Sequence, residues 1–402
     1  MVTKFSKISG KPGFLDFSKV GFSTRSDEVL DARARNWYAE TPLGIAVLSY
    51  DHVGHLLRDR RLRQGSHNWP KTQMASGSFA DFWVRSIISQ EGSYHQKLRM
   101  LAVKALSEEF IQSLIPKFDK IAETLCKELK LKSKCEFQSE FAMPFSGQAI
   151  CILLGIPLAE WVLIAEDAST LGLAMGLNYK SNEARVNAAC TRLLKLAEDL
   201  ILEAECGNDK EGLVRRLVLL GEKYSEIDRE ALKNLIVMLI FGGVDTTRSQ
   251  LGFLMALFAN NIDQWHTLRE DISLVPNAIE ESIRAWPTTT WVTREAIETF
   301  VFDNVKILKG TILHMLVHSS SKDPKLGEFP VFDIKIKQKR HHGFGGGAHH
   351  CLGHLVARTD MAAALRALAS TFIEFKLLGQ PRYLPDSGNT SPQILNLSYK
   401  LH

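Results

Sequence analysis

The sequence predicts a mainly α-helical protein with a small β region. A short apolar run within 44–48, Ile45 to Leu48, is typical of a strand, and segment 50–59 has the apolar spacing of a helix. Longer helical patterns dominate the later chain: 109–131, 141–154 and about 225–260. No repeat, low-complexity tract or linker rich in Gly, Pro and Ser divides the sequence, so we expect a single domain, 1–402.

Composition and charge indicate a soluble protein of a reducing compartment. Apolar residues make up 45% of the chain and charged residues 23%, and a net charge of +4 is too small to predict nucleic-acid binding. The six cysteines lack a disulfide-like spacing, which favours the cytoplasm. Residues 1–17 contain no apolar run long enough for a signal peptide or a membrane anchor, so we expect neither.

A glycine-rich stretch, 344–353, is the most informative part of the sequence. It reads Phe-Gly-Gly-Gly-Ala-His-His-Cys-Leu-Gly, and a helical pattern follows it. Glycines allow a tight turn and the close approach of a flat ligand. Because Cys351 falls where the next helix is predicted to begin, we expect the helix N-terminus to lower its pKa and to favour the thiolate. A thiolate in such a turn suits a soft metal ion.

Three alternatives compete for this stretch. A lone cysteine is more often a small buried hydrophobic residue than a ligand. A zinc site would use the histidines nearby, although no second Cys or His cluster accompanies them: His341, His342, His349, His350 and His354. A phosphate-binding loop would need a Gly-Lys-Ser/Thr ending and a preceding strand, which are missing here. The spacing of the whole stretch is more specific than any of these alternatives.

That spacing, Phe-Gly-x-Gly-x-His-x-Cys-x-Gly, resembles the haem-binding loop of the cytochrome P450 family. The matching positions are Phe344, Gly345, Gly347, His349, Cys351 and Gly353. The resemblance implies the cytochrome P450 fold, with Cys351 as the axial ligand of the iron of haem b. It also implies that Phe344, His349 and Gly353 contact the cofactor.

Three basic residues elsewhere are implied to bind the haem propionates. His95 and Arg99 are four residues apart, so on a helix they share one face and can bind one anion. An isolated pair of this kind is usually a solvated surface, but segment 95–107 resembles the family segment that binds a propionate. Arg294 stands where the family supplies another propionate ligand.

The longest helical pattern carries a second motif. It begins near a capping box formed by Ser225 and Asp228. In its centre, 242–247 reads Gly-Gly-Val-Asp-Thr-Thr, a poor helix former. This segment resembles the family's oxygen-activating motif, with Gly242 in place of the commoner alanine. The resemblance implies that Thr246 presents a hydroxyl to oxygen and that Asp245 carries protons. The alternative is a threonine that bonds to its own helix.

A further pair is implied to be structural. Glu281 and Arg284 are three residues apart on one helix face. Such pairs are usually exposed and contribute little, but here they match the family's buried Glu-x-x-Arg pair. Ile336 occupies the place of an arginine that commonly joins the pair, and we expect His341 to take that role.

The substrate pocket is expected to be apolar. Residues expected to line it are Met238, Phe241, Gly242, Trp291, Val292 and the stretch Leu171 to Leu177. The resemblance implies the contribution of that stretch, and the alternative for it is a plain core helix. None of these residues carries a charge, so we expect a largely apolar small molecule of moderate size as substrate.

The resemblance implies a monooxygenase that inserts one oxygen atom from O2 into its substrate and reduces the other to water. It also implies a monomer that receives electrons from a ferredoxin-type carrier and its reductase. We expect the carrier to dock beside the loop, where basic residues cluster: Lys335, Lys337, Lys339, Arg340 and Arg358. The alternative, which the sequence leaves equally open, is a solvated lysine-rich loop. Two alternatives remain, a peroxide-driven haem enzyme and a non-catalytic haem-binding protein. The acid–hydroxyl pair Asp245–Thr246 argues against both.

Overall fold

The computed structural model describes residues 11–19, 21–175, 179–207, 212–224, 226–327, 332–336 and 341–401. The helices are α1 (Asp27–Arg35), α2 (Tyr50–Leu56), α3 (Trp69–Thr72), α4 (Ser78–Arg85), α5 (Gly92–Ala105), α6 (Glu108–Leu129), α7 (Met143–Leu154), α8 (Trp161–Gly172), α9 (Tyr179–Glu205), α10 (Leu213–Gly221), α11 (Arg229–Asn260), α12 (Ile262–Glu270), α13 (Val275–Ala285), α14 (Val317–Ser321) and α15 (His354–Thr371). The prediction of a mainly helical protein is confirmed.

The strands form one larger sheet and three small ones. They are β1 (Gly13–Phe14), β2 (Tyr38–Thr41), β3 (Gly44–Val47), β4 (Leu62–Gln64), β5 (Lys134–Glu136), β6 (Trp291–Ala296), β7 (Phe300–Phe302), β8 (Val305–Ile307), β9 (Ile312–Leu316), β10 (Phe372–Leu377), β11 (Arg382–Tyr383), β12 (Pro392–Ile394) and β13 (Asn396–Leu401). The larger sheet has the order β1-β2-β3-β9-β6-β4. In it Gln64 of β4 pairs with Arg294 of β6, which places both side chains at one end of the sheet.

Helix α11 runs through the centre of the protein. Its 32 residues span roughly 48 Å at about 1.5 Å per residue. Asp228 caps it, because its side chain accepts a hydrogen bond from the N–H of Ala231 at 2.8 Å. The predicted start near Ser225 is therefore too early, and Ser225 itself lies outside the described residues. The helix continues without interruption through 242–247, despite the poor helix formers there.

The hydrophobic core has a large helical part and a smaller part beside the sheet. Helix α11 contributes the largest share of the large part, followed by α6, α9 and α15, and Phe118, Phe141 and Leu254 are fully buried in it. A second cluster, around Val47, Leu56 and Met315, joins α2 to the larger sheet. No helix among the described residues is long and apolar enough to cross a membrane.

Candidate active site

A cavity of about 350 Å³ is lined both by α11 and by the glycine-rich loop that precedes α15. The α11 residues recur every three or four positions, as one face of a helix does: Leu235, Met238, Leu239, Gly242, Gly243, Thr246, Thr247 and Gln250. The loop contributes 343–345 and 349–353. Residues of the two predicted motifs, among them Thr246 and Cys351, thus meet in one cavity.

The loop is shaped by left-handed glycines and by a hydrogen bond across its base. Gly345 and Gly347 both have a φ of 69°, a conformation that favours glycine. A Cβ atom at Gly347 would lie 2.2 Å from the carbonyl oxygen of Leu57. Only glycine therefore allows the loop to lie so close to the end of α2. The N–H of Cys351 donates to the carbonyl oxygen of Phe344 at 2.9 Å and closes the turn.

The pKa of Cys351 is shifted in the direction opposite to the one predicted. Helix α15 begins at His354, three residues beyond the cysteine. Burial raises the pKa of the Cys351 thiol, and the N–H of Gly353 and the charge of Arg99 offset only part of this effect. The prediction that the helix start alone favours a thiolate is wrong, because desolvation outweighs it. A coordinated metal ion would reverse the balance, since a coordinating thiol is deprotonated.

Two arginines contact the loop from different elements. Arg99 of α5 donates to the carbonyl oxygen of His350 at 2.6 Å. Arg294 of β6 donates to the carbonyl oxygen of Gly346 at 3.2 Å and to Oε1 of Gln64 at 3.1 Å. Neither arginine has a carboxylate hydrogen-bond partner within the described part of the chain. Burial lowers the pKa of Arg99 and lowers that of Arg294 to about 10. An anion bound beside them would offset the cost of burying these charges.

Two histidines lie beside an acid that the sequence analysis did not single out. The rings of His95 and His349 are 4.3 Å apart between centroids, and Nε2 of His349 is 3.0 Å from Oε1 of Glu91. Burial lowers the pKa of His95 to about 4. Burial acts to raise the pKa of Glu91, but hydrogen bonds from His349 and from the N–H of Gln64 outweigh it and hold the pKa at about 2. Glu91 therefore connects β4, the start of α5 and the loop.

On α11, Thr246 lines the cavity and Asp245 does not. The hydroxyl of Thr246 donates to the carbonyl oxygen of Gly242 at 2.5 Å, a bond within the helix. Asp245 does not line the cavity; its Oδ1 accepts from Nη2 of Arg248 at 2.6 Å. The predicted acid and hydroxyl are thus adjacent in sequence, but only the hydroxyl lies in the wall.

Comparison with known proteins gives one consistent family. The family model described as Cytochrome P450 matches residues 178–398. The luteothin monooxygenase of Streptomyces thioluteus is 31% identical over 394 residues, which cover 96% of both chains. The chain belongs to the cytochrome P450 family.

Other relatives and solved structures agree with this assignment. The mycinamicin VIII C21 methyl hydroxylase of Micromonospora griseorubida is 27% identical and covers 83% of this chain and 84% of its own. The crystal structure of CalO2 superposes with a TM-score of 0.86 at 21% identity, covering 94% of this chain and 98% of that chain. This cytochrome P450 is thus of the bacterial type, an oxidoreductase of the haem-thiolate monooxygenase class, and its fold is the one that the resemblance implies.

The residues around the cavity fit a haem group. Cys351 is a free cysteine that lines the cavity and could bind the iron. Arg99 lines the cavity, whereas Arg294 does not line it and contacts the loop at the carbonyl oxygen of Gly346. Both lack carboxylate partners among the described residues, which suits them to the propionates. The remaining wall is largely apolar, as a porphyrin ring requires, and includes Ile150, Leu239 and Val292.

Some of the predicted substrate-pocket residues line the cavity and others do not. Met238, Gly242 and Val292 line the cavity, whereas Phe241 and Trp291 do not. Phe241 lies on another face of α11 because the helix repeats every 3.6 residues. The ring of Trp291 stacks instead on Phe17 at 5.0 Å between centroids.

The predicted contribution of the stretch 171–177 is wrong for the part that the structure describes. Residues 171–175 do not line the cavity, and Leu171 and Ala174 are buried in the helical core. Gly176 and Leu177 lie outside the described residues. Leu171 belongs to α8, which packs against α7, α9 and α11. Packing among helices, rather than contact with the cavity, accounts for this apolar stretch.

The Glu281–Arg284 pair is buried, but its third partner differs from the one predicted. Both carboxylate oxygens of Glu281 accept from Arg284, at 2.6 and 2.7 Å, and each side chain is 2% exposed. The N–H of Asp333 also donates to Glu281 at 2.9 Å. His341 does not join this pair; its Nε2 lies 3.2 Å from Oε2 of the preceding acid, Glu280.

Gln250 and Asp360 are polar residues of the cavity wall that the sequence analysis did not single out. Gln250 bonds to Thr288 and Trp286 and so fixes the chain that leaves α13 against α11. Asp360 of α15 is 4% exposed, and burial raises its pKa well above the usual range. Its position on the buried face of a helical pattern was a visible signal, because an acid at such a position is rare without a partner.

Proposed function

We propose that this cytochrome P450 holds haem b in the cavity, with Cys351 as axial ligand. In this function it inserts one oxygen atom from O2 into a largely apolar small molecule and reduces the other atom to water. The observation that carries the proposal is that Cys351 and the hydroxyl of Thr246 line the same cavity, from the loop and from α11. The whole chain, 1–402, would act as one domain.

Different elements of the protein would bind the propionates and the iron of the haem. His95, Arg99 and Arg294 bind the propionates in this proposal, and the lack of carboxylate partners for the two arginines within the described residues supports it. Phe344, His349 and Gly353 border Cys351 in the cavity wall. Thiolate ligation supplies the electron density that favours O–O bond cleavage.

The protein's own contribution to the chemistry would be the supply of protons and the exclusion of water. Thr246 presents Oγ1 at the cavity wall, where a hydroxyl can pass a proton to a neighbouring oxygen. Asp245 lies beside it on the helix, paired with Arg248 and partly exposed. We assign to Asp245 the task of carrying protons from solvent toward Thr246, which requires its pair with Arg248 to open.

The lining of the cavity supports an apolar substrate. Ile87, Leu239 and Val292 contribute apolar surface, and the polar side chains that line it near α11 are uncharged. Met238 and Gly242 also belong to this proposed substrate region. A relative from Bacillus subtilis is named a polyketide biosynthesis cytochrome P450, which supports a natural product as the class of substrate.

Electrons would come from a ferredoxin-type carrier and its reductase, and the protein would work as a monomer in the cytoplasm. Lys335 is exposed near the loop and supports docking of an acidic carrier there. Arg358 is less suited to this role, because it is paired with Glu280. Lys337, Lys339 and Arg340 lie outside the described residues.

The ligand assignment is tested by the spectrum of the reduced protein under carbon monoxide. Thiolate ligation predicts a band near ~450 nm in the wild type. Cys351→Ala should lose this band, whereas Cys126→Ala, which removes a buried cysteine of the helical core, should keep it. A Cys351→Ala protein that retains the band would overturn the proposal.

A further inference from the structure

Adjacent acids on α13 have different partners. Glu281 is paired with Arg284 of its own helix, as the family motif implies. Glu280 points away from that pair and contacts two other segments of the chain. One is the segment just before the loop, through His341, and the other is α15, through Arg358.

The contacts of Glu280 form a bidentate ion pair with an added hydrogen bond. Oε1 accepts from Nε of Arg358 at 2.6 Å, and Oε2 accepts from Nη2 at 3.0 Å. Nδ1 of His341 accepts the N–H of Gly343 at 3.1 Å, so the ring proton is on Nε2, which donates to Glu280 at 3.2 Å. Burial acts to raise the pKa of Glu280, but the bonds from His341 and Arg358 hold it at about 2. Paired in this way, the carboxylate stays ionised.

Arg358 carries this connection to the loop itself. Its guanidinium carbon lies 4.4 Å from the centroid of the Phe344 ring, a cation–π contact. It also donates to Nδ1 of His354 at 2.8 Å, at the start of α15. Because the carbonyl oxygen of Phe344 accepts the N–H of Cys351, the position of Phe344 bears directly on that of the thiol. His341 and Arg358 thus hold the loop from its two ends.

This arrangement accounts for the missing arginine at position 336. The Glu281–Arg284 pair reaches its neighbours through main-chain atoms, the N–H of Asp333 and the carbonyl oxygen of Ser321. Within the described residues, Glu280 makes side-chain ion pairs that join α13 to the loop region. Its geometry is bidentate and partly buried, the kind of ion pair that holds two segments in a defined geometry.

We propose that Glu280 is a positioning residue, which acts through Arg358 and His341 to hold Phe344 and hence the Cys351 thiolate in place. This inference rests on the proposed role of Cys351 as haem ligand. Outer residues that orient a metal ligand typically change metal affinity by roughly tenfold or more when they are replaced. Removing the charge of Glu280 should therefore weaken thiolate ligation without changing any residue that lines the cavity.

The test compares Glu280→Gln with a matched control, Glu198→Gln. Glu198 also accepts from an arginine, Arg229, and its side chain is 27% exposed against 28% for Glu280, but it joins α9 to α11 and does not line the cavity. The readouts are the share of the reduced carbon monoxide complex that keeps the band near ~450 nm, and the rate of haem transfer to excess apomyoglobin. We expect haem transfer to quicken roughly tenfold and the band to diminish in Glu280→Gln, and neither to change in Glu198→Gln.

A second variant guards against misfolding. Arg358→Lys keeps the charge but loses the bidentate geometry, and it should shift both readouts in the same direction by a smaller factor. The inference is overturned if Glu280→Gln and Arg358→Lys match Glu198→Gln in both readouts, even if all three lower the melting temperature. That result would leave the proposed function intact as long as the wild type shows the band and Cys351→Ala does not. Failure of the proposed function would give a different result: either the wild type would lack the band, or Cys351→Ala would retain it.

Discussion

Asp245 and Asp360 are the same residue type near the same cavity, but their surroundings give them different properties. Asp245 is paired with Arg248 and partly exposed. Asp360 is buried, and it accepts a hydrogen bond from the N–H of Met361 at 2.6 Å. Motif spacing identifies the first acid, whereas only burial and partners distinguish the second.

Replacing Thr246 tests the proposed proton supply. Thr246→Ala should keep the binding of haem and substrate, because within the described residues the hydroxyl bonds to the helix carbonyl of Gly242 alone. Consumption of the electron donor should continue while product per electron falls several-fold and hydrogen peroxide accumulates. Asp245→Asn should instead slow the consumption itself.

The matched control for this experiment is Thr170→Ala. Thr170 makes the same kind of bond, from its hydroxyl to the carbonyl oxygen of Glu166 at 2.8 Å, on an exposed part of α8. Its product yield should equal that of the wild type. A full yield in Thr246→Ala as well would mean that protons arrive by another route.

Asp360 should destabilise the protein increasingly as pH rises. Because its folded-state pKa is raised above 3.8, the folded protein holds a proton that the unfolded chain releases, so stability falls with rising pH above about 4. Asp360→Asn removes this dependence. The free energy of urea unfolding of the variant, relative to wild type, should therefore be higher at pH 8 than at pH 5. Asp119→Asn, at an exposed carboxylate paired with Arg366, should show no such trend.

At the scale of elements, the glycines of α11 illustrate what a helix tolerates beside a cavity. A Cβ atom at Gly242 would meet nothing within 4 Å, whereas one at Gly243 would lie 2.9 Å from Cδ1 of Ile150. Gly242→Ala should thus gain up to about 1 kcal/mol of stability from helix propensity. Gly243→Ala should gain less or lose stability, because Ile150 must move. Melting temperatures of the two variants decide this, and equal gains would contradict the packing described.

Strand β9 contains a buried histidine that should make the larger sheet sensitive to acid. The ring of His314 lies 5.3 Å from Phe17 and 5.9 Å from Trp291, between centroids, and burial lowers its pKa to about 4. A lowered pKa means that the unfolded chain takes up a proton below about pH 6.5 that the folded protein resists. The stability lost between pH 6.5 and 4 on this account is up to about 3 kcal/mol.

His314→Phe should remove most of that loss, since phenylalanine suits the aromatic surroundings. Urea unfolding of wild type and variant at pH 7, 6, 5 and 4.5 measures the difference. The variant should gain relative to wild type as pH falls. A difference that stays constant over this range would show that His314 does not titrate with unfolding.

Elements could be predicted from sequence to different degrees. The core helices were anticipated because apolar periodicity over 12 to 22 residues, as in α6 and α7, leaves little ambiguity. The orientation of a bulky side chain could not be predicted from sequence where it depends on which elements pack together. Trp291 faces Phe17 because β6 pairs with β9, a contact between distant parts of the chain. For the same reason the role of Glu280 became visible only when α13 and α15 were seen together.

For the whole molecule, the distribution of charge should govern electron delivery. Lys335→Glu should slow reduction by an acidic ferredoxin at low ionic strength, and the difference from wild type should shrink as salt is added. Lys195→Glu makes the same change of charge on α9, away from the loop, and serves as control. Equal rates for Lys335→Glu and Lys195→Glu at low salt would place the docking surface elsewhere.

The contact between Gly347 and Leu57 has a consequence for directed evolution of this protein. The loop and the end of α2 meet at main-chain atoms, so no rearrangement of side chains can make room for a larger residue at position 347. Gly346 differs, because its Cβ would meet only the Leu57 side chain, at 3.2 Å. In a library randomised over 345–347, functional clones should accept substitutions at position 346 but should retain glycine at position 347. Screening effort is therefore better placed on Val292 and Gly242, where the cavity offers open space.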